Sequence, residues 1–231
     1  MQKLSLVLEV LKAPRQTIRC FGDRDARDIF DYFTSRHPKL PLFRRKTFGP
    51  ALREIPEDPA EVQSGSQFSQ MRRKVRKARK AGYHFAPIEP MRHFDDILRV
   101  NLSSDSRQGE EMPPEYVDPD RVREEMSRSG EWFGVFATDD RLAAYAYVPI
   151  FGEAFVFWKI LGSADALDDG VMYLLVAEVL EEMARRRQHN EGPRWAMYDM
   201  YIGGGNGLRE FKRRTGFAPR RVTWRWDPYA S

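Results

Sequence analysis

Two ionisable side chains flank a glycine-rich stretch late in the sequence, and they are the residues best suited to chemistry. Asp199 comes near the end of an apolar segment, and Lys212 follows three consecutive glycines, residues 203–205. A carboxylate at this position can act as a general base or hold an amine, or it can cap the amides of the adjacent loop. A lysine can stabilise an oxyanion as it forms, or it can be an ordinary surface residue.

The elements that would position these side chains follow from the surrounding pattern. Residues 195–202 are mostly apolar on both alternating faces, which is typical of a central strand covered on both sides. Asn206 can cap a following helix, on which Leu208 and Phe211 share a face. Lys212 lies four residues after Leu208, so its stem begins at the edge of that face. Functional sites often occur where a buried strand opens into a loop and a helix.

A strongly basic helix is predicted within residues 59–81. Four apolar residues recur at helical spacing: Phe68, Met71, Val75 and Ala78. The positions around them are basic: Arg72, Arg73, Lys74, Arg76, Lys77, Arg79 and Lys80. Because this helix contains no acidic residues to pair with them, a bound polyanion would relieve the charge repulsion. A solvated basic face is the commoner explanation for such a run.

The remaining pattern predicts one large domain with an N-terminal extension. From residue 83 the predicted order is β-α-α-β-β-β-α-β-α-β, in which residues 153–161 form one strand. Residues 4–11 and 16–21 are predicted as strands, followed by a helix over residues 24–36. We therefore divide the chain into an N-terminal β/α extension, residues 1–60, and a main domain, residues 61–231.

The composition excludes several classes of protein. The 231 residues are 42% hydrophobic, with no apolar run of the roughly 20 residues that cross a bilayer. A single cysteine, Cys20, excludes an internal disulfide framework and favours a cytoplasmic location. Four histidines and one cysteine form no metal-ligand pattern. A net charge of +4 argues only weakly for a nucleic-acid partner, and the sequence does not determine the oligomeric state.

The segments around both candidate residues resemble a known family, the FemAB-type proteins, which are members of the GNAT-fold N-acyltransferases. The matching segments are Tyr198-Asp199, Gly207-Leu208, Glu210-Phe211-Lys212, Thr215-Gly216-Phe217 and the basic run Arg72, Arg76-Lys77-Ala78 and Lys80-Ala81-Gly82. The resemblance covers roughly residues 66–226. It implies a mixed-sheet α/β fold in which the strands at residues 153–161 and 195–202 splay apart, with the substrates meeting between them.

The residue types and the resemblance together suggest roles for individual residues, and the resemblance bears on Lys212 and on the loop that contains Arg107 and Gln108. Lys212 and Asp199 would be catalytic. Donor binding would fall to Arg72, Arg73, Arg76 and Phe211. Substrate binding would fall to Arg107, Gln108, Tyr198 and Trp158. Core packing is the simpler explanation of Tyr198 and Trp158, and a plain exposed loop is nearly as good an explanation of Arg107 and Gln108.

The activated donor remains open between two carriers. Enzymes of this fold that use acetyl-CoA cradle its pyrophosphate in a basic, glycine-containing loop before a helix, but residues 162–170 are acidic here, with Asp165, Asp168 and Asp169. Carboxylates at a helix N-terminus repel phosphate. FemAB-type proteins use aminoacyl-tRNA, which the basic helix suits. Acyl-CoA, as in an ordinary N-acetyltransferase, is the second alternative.

No Ser-His-Asp or Cys-His constellation is suggested, so direct attack by an amine acceptor, a small molecule or a peptide, is the simplest mechanism. We expect no tightly bound cofactor. A protein of a different class, a nucleic-acid binder on a catalytically idle scaffold, is also compatible with the sequence.

Overall fold

The computed structural model describes residues 2–38, 40–104, 106–107, 110–202 and 205–230. The helices are α1 (Gln2–Lys12), α2 (Arg24–Thr34), α3 (Ser69–Lys80), α4 (Phe94–Asn101), α5 (Pro114–Val117), α6 (Pro119–Met126), α7 (Val171–Gln188) and α8 (Asn206–Arg214). The strands are β1 (Arg15–Cys20), β2 (Arg36–His37), β3 (Leu40–Arg44), β4 (Phe48–Glu54), β5 (His84–Pro87), β6 (Ser106–Arg107), β7 (Glu110–Glu111), β8 (Glu131–Phe136), β9 (Leu142–Val148), β10 (Ile150–Phe151), β11 (Ala154–Val156), β12 (Lys159–Gly162), β13 (Trp195–Met200) and β14 (Ala218–Trp226).

Two sheets carry the fold. The six-stranded sheet has the order β1-β14-β4-β13-β11-β10, and the four-stranded sheet has the order β12-β9-β8-β5. Helices α3, α7 and α8 pack on one face, where most of the apolar core lies. On the opposite face, α2 covers the six-stranded sheet and the α4–α6 segment covers the four-stranded sheet.

The predicted strand at residues 153–161 is two strands that belong to different sheets. Its first half, β11, pairs in parallel with β13, and its second half, β12, pairs with β9. The last backbone hydrogen bond toward β13 runs from the Phe157 amide to the Met197 carbonyl, at 2.9 Å. Beyond Phe157 this segment separates from β13 and continues into β12, as the predicted splay requires.

The N-terminal residues contribute an interior strand to the six-stranded sheet. Strand β4 lies between β13 and β14 and is antiparallel to both, and β1 pairs in parallel with the outer side of β14. Leu52 of β4 is fully buried. The boundary at residue 60 stays a prediction, but strands from both sides of it form this one sheet.

The strand predicted at residues 4–11 is wrong, because these residues lie in helix α1. Leu6 and Val10, four residues apart, share the side that packs inward, whereas Leu8 is exposed. The strand predicted at residues 16–21 is confirmed as β1, which pairs with β14. The predicted helix at residues 24–36 is confirmed as α2, and the Asp23 carboxylate accepts a hydrogen bond from the Ala26 amide at its start. No helix in the ranges described above is long and apolar enough to cross a membrane.

Candidate active site

The end of β13 carries an irregularity that sets the direction of Asp199. Between Met197 and Met200 the register against β4 shifts, and Asp199 takes a left-handed backbone conformation with φ of 48°. Aspartate tolerates this conformation better than most residues. The partner of Met200 is Pro50, which has no amide hydrogen to donate to the ladder. The bulge therefore ends the regular pairing where the candidate carboxylate lies.

Lys212 is buried under this bulge. Its side chain is only 1% exposed, and its Nζ donates a hydrogen bond of 2.7 Å to the Met200 carbonyl. The ammonium also lies 5.1 Å from the centre of the Tyr198 ring. The alternative that Lys212 is an ordinary surface lysine is therefore wrong. We call Asp199, Met200 and Lys212, together with Lys46, which pairs with Asp199, the bulge site.

Lys46, which the sequence analysis missed, forms an ion pair with Asp199. Lys46 is 13% exposed, whereas the Asp199 side chain is 62% exposed. The backbone of Lys46 is fixed by two contacts: its amide donates to the Phe33 carbonyl, and its carbonyl accepts from Trp224 Nε1. One cation thus approaches the carboxylate from the N-terminal segment, and solvent reaches it from another side.

Two lysines keep Asp199 ionised. Desolvation of the carboxylate opposes ionisation, but the charge and hydrogen bond of Lys46, with a smaller contribution from the charge of Lys212, outweigh it and hold the pKa of Asp199 below its usual value. The third interpretation of Asp199, a cap on backbone amides, accounts for only the weakest of these contributions, a hydrogen bond with the Met200 backbone.

Aromatic side chains form the wall beside Lys212. Tyr198 is 7% exposed and lies 5.5 Å from Phe157 and 6.0 Å from Phe211, measured between ring centres. Phe211 also contacts Tyr173 at 4.7 Å. Tyr198 and Phe211 are therefore part of the core beside the bulge site, and their predicted roles in substrate and donor binding stay predictions.

Trp158 lies where the chain passes from β11 to β12, on the opposite face from Phe157. Its ring is 5.7 Å from that of Tyr32 on α2, and the Nζ of Lys46 is 5.9 Å from the Tyr32 ring centre. Tyr32 thus links Trp158 to the bulge site. Gln108 falls outside the described residues, and only the backbone of Arg107, in β6, is described, so the roles of both stay predictions.

Helix α3 uses several of its cations within the protein. The Arg72 guanidinium donates to the carbonyls of Gln63 and Gly65. Lys77 forms an ion pair of 3.1 Å with Asp169. In the same way Arg79 pairs with Glu178 of α7, at 2.7 Å. The helix has no acids of its own, but distant parts of the chain supply them.

Three basic residues of α3 are left on one exposed face. Arg73, Arg76 and Lys80 follow one another at helical spacing, and none of them forms an ion pair with any residue in the described ranges. The predicted donor-binding set therefore divides in the structure. Arg72 is engaged by backbone carbonyls, whereas Arg73 and Arg76 point their charge to solvent.

Helix α3 also covers the acidic loop before α7. Gly170, at the start of α7, has φ of 90°, and a Cβ atom at this position would come within 2.7 Å of the Lys74 carbonyl oxygen. Lys77 Nζ donates to the Asp168 carbonyl at 2.9 Å. Farther along the loop, Arg141 forms an ion pair of 2.8 Å with Asp165. The acidic loop before α7 is therefore held by contacts within the protein.

The site residues that the sequence analysis missed come mainly from the N-terminal segment. Lys46 belongs to the run Arg44-Arg45-Lys46, in which nothing distinguishes it from its neighbours. Tyr32 is one of several apolar residues on α2. Both reach the site across long sequence separations, 153 residues in the case of Lys46 and Asp199. A pattern of neighbouring residue types holds no signal for such a contact.

Solved structures similar to this chain include two with names that bear on function. FemX aligns with a TM-score of 0.53 at 13% identity, over 74% of this chain and 59% of FemX. L-PGS from Bacillus licheniformis aligns with a TM-score of 0.52 at 13% identity, over 74% of this chain and 57% of L-PGS. A conserved protein of unknown function from Bacteroides thetaiotaomicron aligns with a TM-score of 0.52 at 12% identity, over 75% and 57% of the two chains.

These likenesses concern the fold. This chain spans under two thirds of each of the three proteins. No family model and no curated protein sequence matches the chain. The predicted fold class, a mixed-sheet α/β fold of the GNAT type with splayed central strands, is confirmed by the two sheets, the order of elements and the structural neighbours.

Proposed function

We propose that this protein is an N-acyltransferase of the FemAB-like branch, which moves an acyl or aminoacyl group from an activated carrier to an amine. The observation that carries this proposal is the buried ammonium of Lys212 beside the ionised Asp199, at the end of β13 where it parts from β12. In such a pair, the cation can stabilise the oxyanion of the reaction, and the carboxylate can hold the attacking amine.

Lys212 would stabilise the oxyanion that develops when the amine attacks the carbonyl of the donor. Its ammonium is nearly inaccessible to water and fixed to the Met200 carbonyl, so little reorganisation is needed during the reaction. A charge in such surroundings acts more strongly than the same charge in water.

Asp199 would hold the acceptor rather than deprotonate it. Its pKa is below the ordinary aspartate value of about 3.9, whereas an alkylammonium has a pKa of about 10. Proton transfer between groups so far apart in pKa is strongly unfavourable. The exposed part of this carboxylate can instead attract the ammonium form of the acceptor, which then loses its proton to solvent before it attacks.

Aminoacyl-tRNA is our first donor, and acyl-CoA the second. The contacts of Gly170 and Asp169 with α3 fill the place where a CoA pyrophosphate would be cradled. The exposed face formed by Arg73, Arg76 and Lys80 suits the phosphates of a nucleic acid. The same face also favours the second candidate function, a nucleic-acid-binding protein without catalysis.

One pair of measurements separates these possibilities. The midpoint of thermal unfolding is measured with tRNA and with CoA, because a ligand of the native state raises it by mass action. Transfer from charged tRNA and from acetyl-CoA to a primary amine is then followed by mass spectrometry. Stabilisation by tRNA with product formation supports the proposal, and stabilisation without any product supports the binding protein. Transfer from acetyl-CoA alone would make the second donor correct.

A further inference from the structure

A cleft opens on the α2 face of the molecule where the two sheets meet. It has a volume of about 160 Å³ and lies between α2 and the residues after α6. We call it the seam cleft, and its polar and aromatic lining is Asp25, Asp28, Tyr32, Arg128, Tyr147 and Trp158. Its volume corresponds to about five water-sized groups, which suits the end of a small organic molecule rather than a whole cofactor.

The lining combines carboxylates with aromatic rings. Asp28 forms no hydrogen bond or ion pair with any residue in the part of the chain described, and Asp25 accepts one hydrogen bond from the Ser129 amide, at 2.6 Å. The rings of Tyr32 and Trp158 meet edge to face. Aromatic faces beside carboxylates that form no ion pair attract an organic ammonium ion both by charge and through the ring quadrupoles.

Three cations lie near this lining: Arg128 belongs to it, and Arg45 and Lys46 approach its Tyr32 ring. Arg128 lies 3.6 Å from the carboxylate of Glu124, which offsets part of its charge. Arg45 lies 4.9 Å from the Tyr32 ring centre, but it is not among the residues that line the cleft. Because Arg45 and Lys46 already face the Tyr32 ring, a ligand cation would lie on the Trp158 ring instead.

The Tyr147 phenol reports a negative environment at the cleft. Burial raises the pKa of Tyr147, and the charges of Glu125 and Asp25 raise it further, while Arg128 lowers it by less. Both carboxylates therefore disfavour ionisation of the Tyr147 phenol. Glu125 is already paired with Lys159, so Asp25, which lines the cleft, is the carboxylate that would favour a positively charged ligand.

The cleft adjoins the bulge site through one side chain. Tyr32 contacts Trp158 on the cleft side, and Lys46, the partner of Asp199, lies 5.9 Å from the same ring. A molecule with one nitrogen at Asp199 would have to pass Lys46 and Tyr32 to reach the seam cleft. Its far end would meet Asp28 and Trp158.

We propose that the seam cleft binds a second ammonium group of the acceptor, which is therefore a diamine or a molecule with a basic side chain. The identity of this ligand as the acceptor rests on the proposed function, whereas binding of the cation does not. The cleft would select acceptors that carry two positive charges, and Asp28 would be the residue that determines this preference.

The test follows the indole resonance of Trp158 in ¹H–¹⁵N spectra of the whole protein, assigned with Trp158→Phe. The probe is 1,5-diaminopentane, and 1-pentanol is the uncharged control. We expect the diamine, but not the alcohol, to shift the Trp158 resonance. Loss of one unit charge near the bound cation is worth about 1 kcal/mol in a water-like medium, so Asp28→Asn should weaken binding about fivefold. Asp31→Asn, on the same helix but paired with Arg27, is the matched control and should leave binding unchanged.

A Trp158 resonance that stays in place, or that moves equally with pentanol, would overturn the proposal, as would equal effects of the two variants. Failure of the proposed function can be distinguished from failure of the cleft assignment. Diamine binding with these signatures in a protein that transfers no acyl group leaves the cleft assignment standing. Transfer to a diamine with the same KM in Asp28→Asn as in the parent protein contradicts the cleft assignment alone.

Discussion

The bulge site and helix α3 both gather positive charge, but they hold it in opposite ways. Lys212 is 1% exposed and bound to a backbone carbonyl. On α3, Arg73 and Arg76 are exposed, and their neighbours Lys77 and Arg79 are paired with carboxylates. A desolvated cation can act on one atom of a substrate, whereas exposed cations act through the screened field of a surface.

This difference separates two kinds of function. The bulge site is suited to chemistry, because the Lys212 ammonium is fixed in place and shielded from water beside the more exposed Asp199. The exposed face of α3 is suited to affinity, because its charges are mobile and respond to salt. Changes in the bulge site should therefore alter rate, and changes on α3 should alter binding and its salt dependence.

The largest expected effect is that of Lys212→Met, which keeps the apolar stem and removes the charge. We expect the rate of acyl transfer to fall about 10²–10³-fold, as for other oxyanion donors. Single-turnover kinetics from charged tRNA measure this rate, and circular dichroism checks the fold. Arg213→Met, an exposed residue of the same helix paired with Glu210, should leave the rate nearly unchanged. A folded Lys212→Met variant with the parent rate would refute the catalytic assignment.

The next effect concerns stability and compares two glycines that each precede a helix. Gly170→Ala should destabilise the protein by about 2 kcal/mol or more, because the left-handed conformation is strained for alanine and the methyl group would overlap the Lys74 carbonyl. Gly205→Ala, with φ of −72° and open space at the Cβ position, should cost less than about 1 kcal/mol. Urea unfolding measures both. Equal losses would mean that α3 does not press against the loop before α7.

A smaller effect is expected from reversing the exposed charges of α3. Arg73→Glu combined with Arg76→Glu should weaken tRNA binding and reduce its salt slope by about one for each phosphate that the variant no longer neutralises. The matched control is Arg121→Glu with Arg123→Glu on α6, which makes the same change in net charge on another helix. Affinity and slope are measured by fluorescence anisotropy at several salt concentrations. An unchanged slope would leave α3 a solvated basic face.

The smallest effect concerns the ionisation of Asp199. Lys46→Met should raise the pKa of Asp199, because the charge that most strongly favours the carboxylate is lost. A ¹³C NMR titration measures this pKa, and Lys80→Met should leave it unchanged because Lys80 is not among the groups that shift it. A carboxyl whose pKa is lowered by folding stabilises the protein above its unfolded pKa of about 3.9 and loses this contribution as the pH falls through the folded value.

Asp199→Asn should therefore reduce stability at pH 7 and have less effect in acid. Since Asp199 is largely exposed, the loss should stay below about 1 kcal/mol. A larger loss at pH 3 than at pH 7 would contradict the assigned direction of the pKa shift.

The sequence predicted local elements well because their causes are local. The segment at residues 195–202, apolar on both alternating faces, corresponds to β13, whose buried side chains face both layers of the core. Leu208 and Phe211 predicted the inner face of α8, and the position of Lys212 beside that face followed from its spacing. The order of the main elements from residue 83 also agrees, apart from the division of residues 153–161 into β11 and β12 and the additional short elements β6, β7, α5 and β10.

The features that the sequence did not predict depend on contacts between residues far apart in the chain. The division of residues 153–161 between two sheets is decided by pairing with β9 and β13, which no single segment encodes. Lys46 joins the site only because β4 brings the N-terminal segment beside β13. The carboxylates that pair with α3 lie 92 residues (Lys77 to Asp169) and 99 residues (Arg79 to Glu178) further along the chain, so the basic run appeared unpaired in the sequence.

The position of β4 has a consequence for how the protein acquires its structure during synthesis. Phe48–Glu54 leave the ribosome early, but their two neighbours are Trp195–Met200 and Ala218–Trp226. This interior strand therefore stays unpaired until well over a hundred further residues have been translated. Contacts between residues so far apart in the sequence slow folding. The apolar centre of this strand is exposed to aggregation in that interval. We expect the four-stranded sheet to form first, and the bulge site to be completed only when β14 closes the second sheet.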